Sequence, residues 1–275
     1  MRTFRLFKYK DASYRISVSG AEKEITAGEE SNRLFRLVAD NIKAVRTDIE
    51  KYIERQSAFL SSLEPLPLLP GAPEAVKRMS GAAEKTGLGP MAAVAGTIAQ
   101  CAAELSAQQV LSSGYNEIII ENGGDIYISL NPPKKDHPPD GQVNPYSPVV
   151  TGIFSGLDSV FSSLALKILP EDLPLAVCSS SGRMGHSLSL GDCDLSTVIS
   201  KDASLADAAA TLGGNLVKTE EDLGSSAERI GAIDGVIGVI LIKNDRIAMA
   251  GKLPQLIKHH DAAGLDKITI TGKEF

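Results

Sequence analysis

The segment NEIIIENGGDIYISL, residues 116–130, restricts the possible folds of this chain more than any other stretch. Two runs rich in Ile lie on either side of the pair Gly123-Gly124. Short β-branched runs favour strands, and a glycine pair between two of them is typical of a tight hairpin turn. The sequence therefore predicts two neighbouring antiparallel strands here.

Hairpins recur along the chain. Residues 3–19 alternate in polarity around a turn predicted at Asp11-Ala12, and residues 235–251 form another such pair. Because hairpins outnumber βαβ units, the sequence predicts an α+β class with mostly antiparallel sheets and packed helices, not a doubly wound nucleotide-binding fold. Further strands are expected at residues 149–155, 172–182, 194–200 and 267–272.

Helices are expected in three places. Apolar residues recur every three or four positions over residues 30–63, and the proline-rich residues 64–73 end that helix as a linker. A second, amphipathic helix is predicted from Pro90, after a glycine-rich turn, and a short one from Ser204. The proline-rich residues 131–148 are expected to form a mobile loop.

Composition limits the classes of function. The chain has 275 residues, 43% of them apolar, and a formal net charge of −6, without a basic cluster interleaved with aromatics. These features indicate a sizeable core and argue against nucleic-acid binding. Neither a signal-peptide core nor a run of about 18 uncharged apolar residues is found, so a cytoplasmic protein without membrane contact is expected. Three cysteines without C-x-x-C spacing are expected to be free thiols.

The stretch SLADAAATLGG, residues 204–214, has two interpretations. Asp207 and Thr211 are four residues apart in an apolar helix, so both side chains lie on one face and can reach a common ligand. The simpler interpretation is a capping box, in which Ser204 caps the helix, Asp207 reaches back to an amide, and Gly213-Gly214 end the helix. The sequence alone leaves both open.

The stretch CSSSGRMGHS, residues 178–187, is also ambiguous. A strand that runs into consecutive hydroxyls, glycines and His186 suits phosphate binding, and it equally suits a polar surface loop. Cys178 or a Ser as a nucleophile activated by His186 is the third interpretation, although a G-x-S-x-G elbow is absent and no orienting acid is placed beside them. A buried cysteine that packs as a small apolar side chain is the more common case.

Four motifs together carry a resemblance to a known family. GPMAAVAGTIAQ, IIIENGGDIYI, LAVCSSSG with a following His, and ADAAATLGG resemble, in order and rough spacing, the ApbE-like superfamily of flavin transferases, which move FMN from FAD to a protein Thr. The soluble branch of that superfamily is similar along the whole chain. The resemblance implies a T-fold-like single domain, residues 1–275, with an N-terminal hairpin and long helix (1–70) before an ApbE-like core (71–275).

The resemblance also implies site residues. In that family an A-D-A-x-x-T segment supplies oxygen ligands to Mg²⁺, which here implies Asp207 and Thr211 as metal ligands. A backbone carbonyl within residues 93–96 would face the metal. Asp207 and His186 would take part in catalysis, and the contacts to the flavin nucleotide would come from Gly123, Gly124, Asp125, Ser181 and Gly182.

Departures from the family pattern leave two functions open. The Lys usual in the family's glycine-rich helix start is absent, and so is a D-P-x-T-G element after His186. One hypothesis is Mg²⁺-dependent transfer of FMN from FAD to a Thr of an acceptor protein. The other is a non-catalytic protein that binds flavin or another nucleotide, or an accessory protein in sulfur amino-acid (homocysteine) metabolism of anaerobes. Exposed strands in such folds often pair, so a homodimer is also expected.

Overall fold

Two sheets and six helices make up the parts of the chain that the computed structural model describes, which are residues 2–20, 29–130, 146–153, 155, 161–182 and 191–258. The helices are α1 (Glu29–Arg55), α2 (Ala58–Ser61), α3 (Glu74–Thr86), α4 (Val94–Ser112), α5 (Ala203–Leu216) and α6 (Asp222–Gly231). The strands are β1 (Arg5–Tyr9), β2 (Ala12–Ser19), β3 (Glu117–Asn122), β4 (Asp125–Leu130), β5 (Val149–Gly152), β6 (Leu164–Ile168), β7 (Leu175–Ser180), β8 (Leu195–Ser200), β9 (Val236–Lys243), β10 (Arg246–Gly251) and β11 (Gln255–Lys258).

The strand order confirms the predicted fold class. The larger sheet has the order β1-β2-β3-β4-β7-β8-β9-β10, and each neighbouring pair is antiparallel. The smaller sheet has the order β11-β6-β5 and is also antiparallel. The three predicted hairpins are present as β1–β2, β3–β4 and β9–β10. The fold is therefore α+β with antiparallel sheets.

The larger sheet separates two hydrophobic layers. Side chains alternate across a strand, so Ile118 and Ile120 of β3 pack in the layer with the helices, whereas Ile119 packs in the layer with the smaller sheet. All three residues are buried. Because both faces of the central strands are covered, the middle of β3 consists of three consecutive Ile residues instead of an alternating pattern.

The first helix is shorter than predicted. α1 ends at Arg55, and the chain then turns into α2, which buries Phe59 edge-on against Tyr52 with the ring centroids 5.1 Å apart. The Tyr52 hydroxyl accepts a hydrogen bond from the Leu69 amide at 2.8 Å, which fastens the proline-rich stretch to α1. A continuous helix over residues 30–63 is therefore wrong, because the chain turns to bury Phe59.

Four elements have no counterpart in the sequence prediction, namely α3, α6, β6 and β11. α3 begins directly after Pro73 and ends at Thr86, and the following Gly87 caps it with a φ of 74°, which suits glycine. β2 pairs with β3 and α1 packs against α4, so contacts cross the predicted division at residue 70. The single-domain organisation of residues 1–275 stays a prediction, with which these contacts agree.

Three local predictions are wrong. The first hairpin turns at Lys10-Asp11, because Lys10 takes up a left-handed conformation and Ala12 already belongs to β2. The first half of α4 is not amphipathic, since residues 96–103 are all buried. α5 continues through Gly213-Gly214 to Leu216, and a Cβ at Gly213 would lie 2.3 Å from the Ser196 hydroxyl oxygen, so this glycine serves close packing.

Several predictions concern residues outside the described ranges. These are most of the loop at residues 131–148, the last strand at residues 267–272, and His186. All three cysteines are described, and they are free, as expected, and also buried. Of the helices in the described part, none combines the length and apolar character needed to cross a bilayer.

Candidate functional site

The turn between β3 and β4 brings a carboxylate to the helix side of the larger sheet. Gly123 and Gly124 have φ values of 65° and 107°, conformations that favour glycine. Asp125 follows as the first residue of β4 and points to the same side as Tyr127, which packs in the layer with the helices. Asp125 is only 7% exposed.

Helix α5 begins with a cap different from the predicted one. Oδ1 of Asp202 accepts hydrogen bonds from the amides of Ser204 at 2.9 Å and Leu205 at 3.3 Å. Asp202 is therefore the N-cap, and the predicted capping box of Ser204 and Asp207 is wrong. Asp207 lies in the second turn of α5, and its side chain contacts α4 instead of capping α5.

Asp207 contacts the beginning of α4. Its Oδ2 accepts a hydrogen bond from the Gly96 amide at 2.9 Å. Amides in the first turn of a helix have no partner within that helix, so a carboxylate is a favourable acceptor there. The contact requires glycine, because a Cβ at Gly96 would lie 2.3 Å from the Ala203 carbonyl oxygen and 3.0 Å from Cβ of Asp207.

Asp125 and Asp207 form an interacting pair of buried carboxyl groups. Burial raises the pKa of Asp207 to about 7, although hydrogen bonds from the Gly96 and Ala95 amides oppose the rise. Burial, and then the charge of Asp207, raise the pKa of Asp125 well above its usual range. Oδ1 of Asp125 is buried without a hydrogen-bond partner. Such a pair favours a proton or a cation between the two groups.

Cys178 lies beside Asp125 on the neighbouring strand. Ile126 pairs with Val177, which places Asp125 opposite Cys178 across β4 and β7. Burial, and then the charges of Asp125 and Asp207, raise the pKa of the Cys178 thiol well above its usual range. The group is therefore a neutral thiol at neutral pH, and a nucleophilic role for it is disfavoured.

Thr211 is placed as predicted from its spacing. It lies one helical turn after Asp207 on the same face of α5, and it is half-buried. The structure thus brings together the turn Gly123-Gly124, Asp125, Asp207 and the first turn of α4. These groups come from three separate parts of the sequence.

Ser181 and Gly182 follow the end of β7. The Gly182 amide donates a hydrogen bond to the Cys193 carbonyl at 2.8 Å, so this end of β7 is held next to the start of β8. His186 lies outside the described residues, and its relation to the carboxylates stays a prediction.

Two further residues near the site were not predicted from the sequence as functional residues. The side-chain amide of Asn122 donates to the Ala95 carbonyl at 3.3 Å, within the range in which a carbonyl was expected to face a metal. Gln100, which is 7% exposed, accepts a hydrogen bond from the Ala203 amide at 2.7 Å. A polar residue within the otherwise apolar run GTIAQCAA is the signal that identifies Gln100.

The donor set suits a hard cation. Within the described ranges, no three His, Cys, Asp or Glu side chains are arranged to hold a metal ion. Mg²⁺ commonly takes one or two carboxylates and completes its shell with water and phosphate oxygens. The buried unpartnered oxygen of Asp125 and the carboxylate of Asp207 fit this requirement, whereas the neutral thiol of Cys178 does not suit a soft metal.

The raised pKa of Asp207 predicts a pH dependence of stability. Because that pKa is about 7 in the folded protein against an ordinary 3.8, the folded state keeps a proton that the unfolded state releases. This stabilising contribution is present in full below about pH 4 and is lost as the pH rises through about 7. We therefore compare the melting temperatures of Asp207→Asn and the parent in EDTA. The variant's melting temperature should increase relative to that of the parent as the pH rises from about 5 to about 8.

The control for this pH experiment is Asp48→Asn, at an exposed position of α1. Its profile is expected to follow that of the parent. Superimposable profiles for the parent and Asp207→Asn would contradict the assignment of the proton to this site.

Residues 7–234 match the sequence profile of a protein family described as AbpE bacteria. The chain belongs to this family. The UPF0280 protein of Methanocella arvoryzae is 37% identical over 269 residues, which cover 98% of this chain and 99% of that protein. The UPF0280 protein of Archaeoglobus fulgidus is 35% identical over 260 residues, which cover 93% and 94%.

Solved structures support the fold of this AbpE bacteria family member. The apo form of the flavinyl transferase ApbE from Pseudomonas stutzeri superimposes with a TM-score of 0.52 at 12% identity, over 98% of this chain and 97% of that one. The ApbE protein from Thermotoga maritima gives a TM-score of 0.51 at 12% identity, over 98% and 99%. The chain therefore has an ApbE-like fold, as its motifs predicted.

Proposed function

We propose that this protein binds a flavin nucleotide together with Mg²⁺ and transfers FMN from FAD to a Thr of an acceptor protein. The observation that carries the proposal is the pair of buried carboxylates, Asp125 and Asp207, with an unpartnered oxygen on Asp125. A buried pair of like charges is costly unless a cation or a proton lies between them, and FAD brings a diphosphate that binds Mg²⁺.

The proposed roles follow from position. Asp207 and Thr211 would hold Mg²⁺, since both lie on one face of α5. Gly123, Gly124 and Asp125 would contact the flavin, because glycines without side chains let the backbone approach a flat ring. Bound Mg²⁺ would neutralise the negative charge that develops when the diphosphate is cleaved.

The surroundings of Asp207 fix both the orientation and the protonation state of its carboxyl group. The Gly96 amide holds one oxygen of Asp207 at 2.9 Å, which fixes the carboxylate in orientation. Binding of a cation requires Asp207 to lose its proton, so cation binding is expected to strengthen as the pH rises through about 7. Ser181 and Gly182 would contact the nucleotide, and His186 would move a proton in the transfer step.

An alternative function is binding without transfer. The absent Lys and the absent D-P-x-T-G element remove residues that the transferase family usually carries, which favours a protein that holds flavin or another nucleotide, or an accessory protein. Release of AMP from FAD in the presence of Mg²⁺ and a Thr-containing acceptor distinguishes transfer from binding. We further propose a cytoplasmic location and a homodimer.

Binding is tested by thermal stability. FAD plus Mg²⁺ is expected to raise the melting temperature of the EDTA-treated protein by about 5 °C, because a ligand at about 100 times its Kd stabilises the native state by about 2.7 kcal/mol. FAD with EDTA should give a smaller rise. FMN, which lacks the diphosphate, should give no Mg²⁺-dependent increment. No shift at saturating FAD and Mg²⁺ would contradict the proposed function.

A further inference from the structure

Polar contacts join α4 to α5 in antiparallel order. Gly96 donates its amide hydrogen to Asp207, the Thr97 hydroxyl donates to the Ser204 hydroxyl at 2.7 Å, and the Ala203 amide donates to Gln100 Oε1 at 2.7 Å. The first and last contacts are reciprocal, because each helix supplies a side-chain acceptor for an N-terminal amide of the other. This reciprocity fixes the two helices in both position and register.

Gln100 supplies a hydrogen-bond acceptor for the first amide of α5, that of Ala203. Asp202 caps the amides of Ser204 and Leu205, and the preceding amide of Ala203 goes to Gln100. Ala203 and Gln100 are both buried, so water is not an easy substitute. An amide left without a partner there would carry the full desolvation penalty.

The orientation of the Gln100 amide is fixed from its other end. Nε2 of Gln100 donates to Glu104 at 2.8 Å, and the second carboxylate oxygen of Glu104 accepts from Arg78 of α3 at 2.8 Å. A flipped amide would point its NH₂ group at the Ala203 amide and its oxygen at the Glu104 carboxylate. Both contacts would then be repulsive, so only one orientation is stable.

We infer that Gln100 is a positioning residue of the cation site, which holds the first turn of α5 so that Asp207 keeps its place beside Asp125. The inference rests on the proposed function, because it assigns a role in cation binding to a residue that does not touch the cation. Asp207 lies one helical turn after Ala203, so a shift of the first turn moves the carboxylate directly.

The test is Gln100→Met, which keeps the length of the side chain and removes both hydrogen bonds. The measurement is the Mg²⁺ concentration at half of the thermal shift, with FAD held at saturation. We expect this midpoint to rise about tenfold, the typical loss when a residue that orients a metal ligand is replaced. The double variant Gln100→Glu with Glu104→Gln exchanges the two side chains. The carboxylate at position 100 can then accept from the Ala203 amide and from the side-chain amide at position 104, so the midpoint should return towards the parent value.

Two controls separate positioning from general loss of stability. Gln108→Met alters an exposed position of the same helix and should leave the midpoint unchanged. Ile49→Val opens a small gap in the core under α1 and should lower the melting temperature without moving the midpoint. If Gln100→Met does not fold, Glu104→Met removes the acceptor of the Gln100 amide and should move the midpoint in the same direction by less.

The outcomes are distinguishable. A parent protein without any Mg²⁺ response overturns the proposed function and this inference with it. A parent that responds, with an unchanged midpoint in the Gln100 and Glu104 variants, overturns this inference alone. An equal rise of the midpoint in Ile49→Val also overturns it, because loss of stability would then account for the effect.

Discussion

Asp207→Asn is expected to abolish the Mg²⁺-dependent part of the stabilisation by FAD. The substitution keeps an oxygen that can accept from the Gly96 amide, but it removes the negative charge that a hard cation requires. At a ligand concentration of about 100 times the Kd, the lost increment amounts to about 2.7 kcal/mol at most. The variant without ligand should melt above the parent at neutral pH, because Asp125 then no longer faces the negative charge of Asp207.

Two further variants sharpen this result. Thr211→Val removes the second proposed ligand and nearly keeps the shape of the side chain, so it should also lose the Mg²⁺ increment. Asp202→Asn, five residues from Asp207 on the same helix, keeps a good N-cap and should retain the increment. Retention of the increment in both Asp207→Asn and Thr211→Val would contradict a metal site on α5.

Gly96→Ala is expected to cause a large loss of stability although it adds only one methyl group. The added Cβ would lie 2.3 Å from the Ala203 carbonyl oxygen, a backbone atom that cannot move without shifting α5. Overpacking of this kind costs about 3 kcal/mol, and urea denaturation of the ligand-free protein measures it. The Asp207 contact to the Gly96 amide should weaken with it, so Mg²⁺ binding should also fall.

The matched control is Gly81→Ala, also at a helical glycine. A Cβ at Gly81 in α3 meets no atom within 4 Å, so the substitution should raise stability by about 0.5–1 kcal/mol through helix propensity. A similar free energy of unfolding for Gly96→Ala and Gly81→Ala would show that α4 and α5 can separate freely, against the close packing described above.

The sequence predicts local structure well where the signal is local. Gly123-Gly124 between two Ile-rich runs defines the β3–β4 hairpin, alternation defines β2, and the apolar run of residues 236–242 before a turn defines β9. α3 is not among the predicted helices, although its buried residues Val76, Met79 and Ala83 recur every three or four positions, a signal that could have identified it. β6 and β11 are short strands whose pairing with each other depends on distant chain segments.

The site is less predictable than the fold. The four-residue spacing of Asp207 and Thr211 correctly places both on one face, but the capping box fails because Asp202 takes the cap. The partner of Asp207 is an amide 111 positions away in the chain, and no local pattern reveals such a contact. The same holds for Gln100 and Ala203, which are 103 positions apart.

The reciprocal contacts between α4 and α5 have a consequence for how the site comes into existence. Each of the two helices relies on the other for a hydrogen-bond acceptor in its first turn, as the Gly96 amide relies on Asp207 and the Ala203 amide on Gln100. Bringing the two helices together closes a long loop, which costs conformational entropy. The strands β3 to β8 fill the intervening sequence, and contacts between residues so far apart in the chain form slowly. A nascent chain that ends before residue 203 lacks both Asp207 and Thr211, and with them the proposed metal ligands.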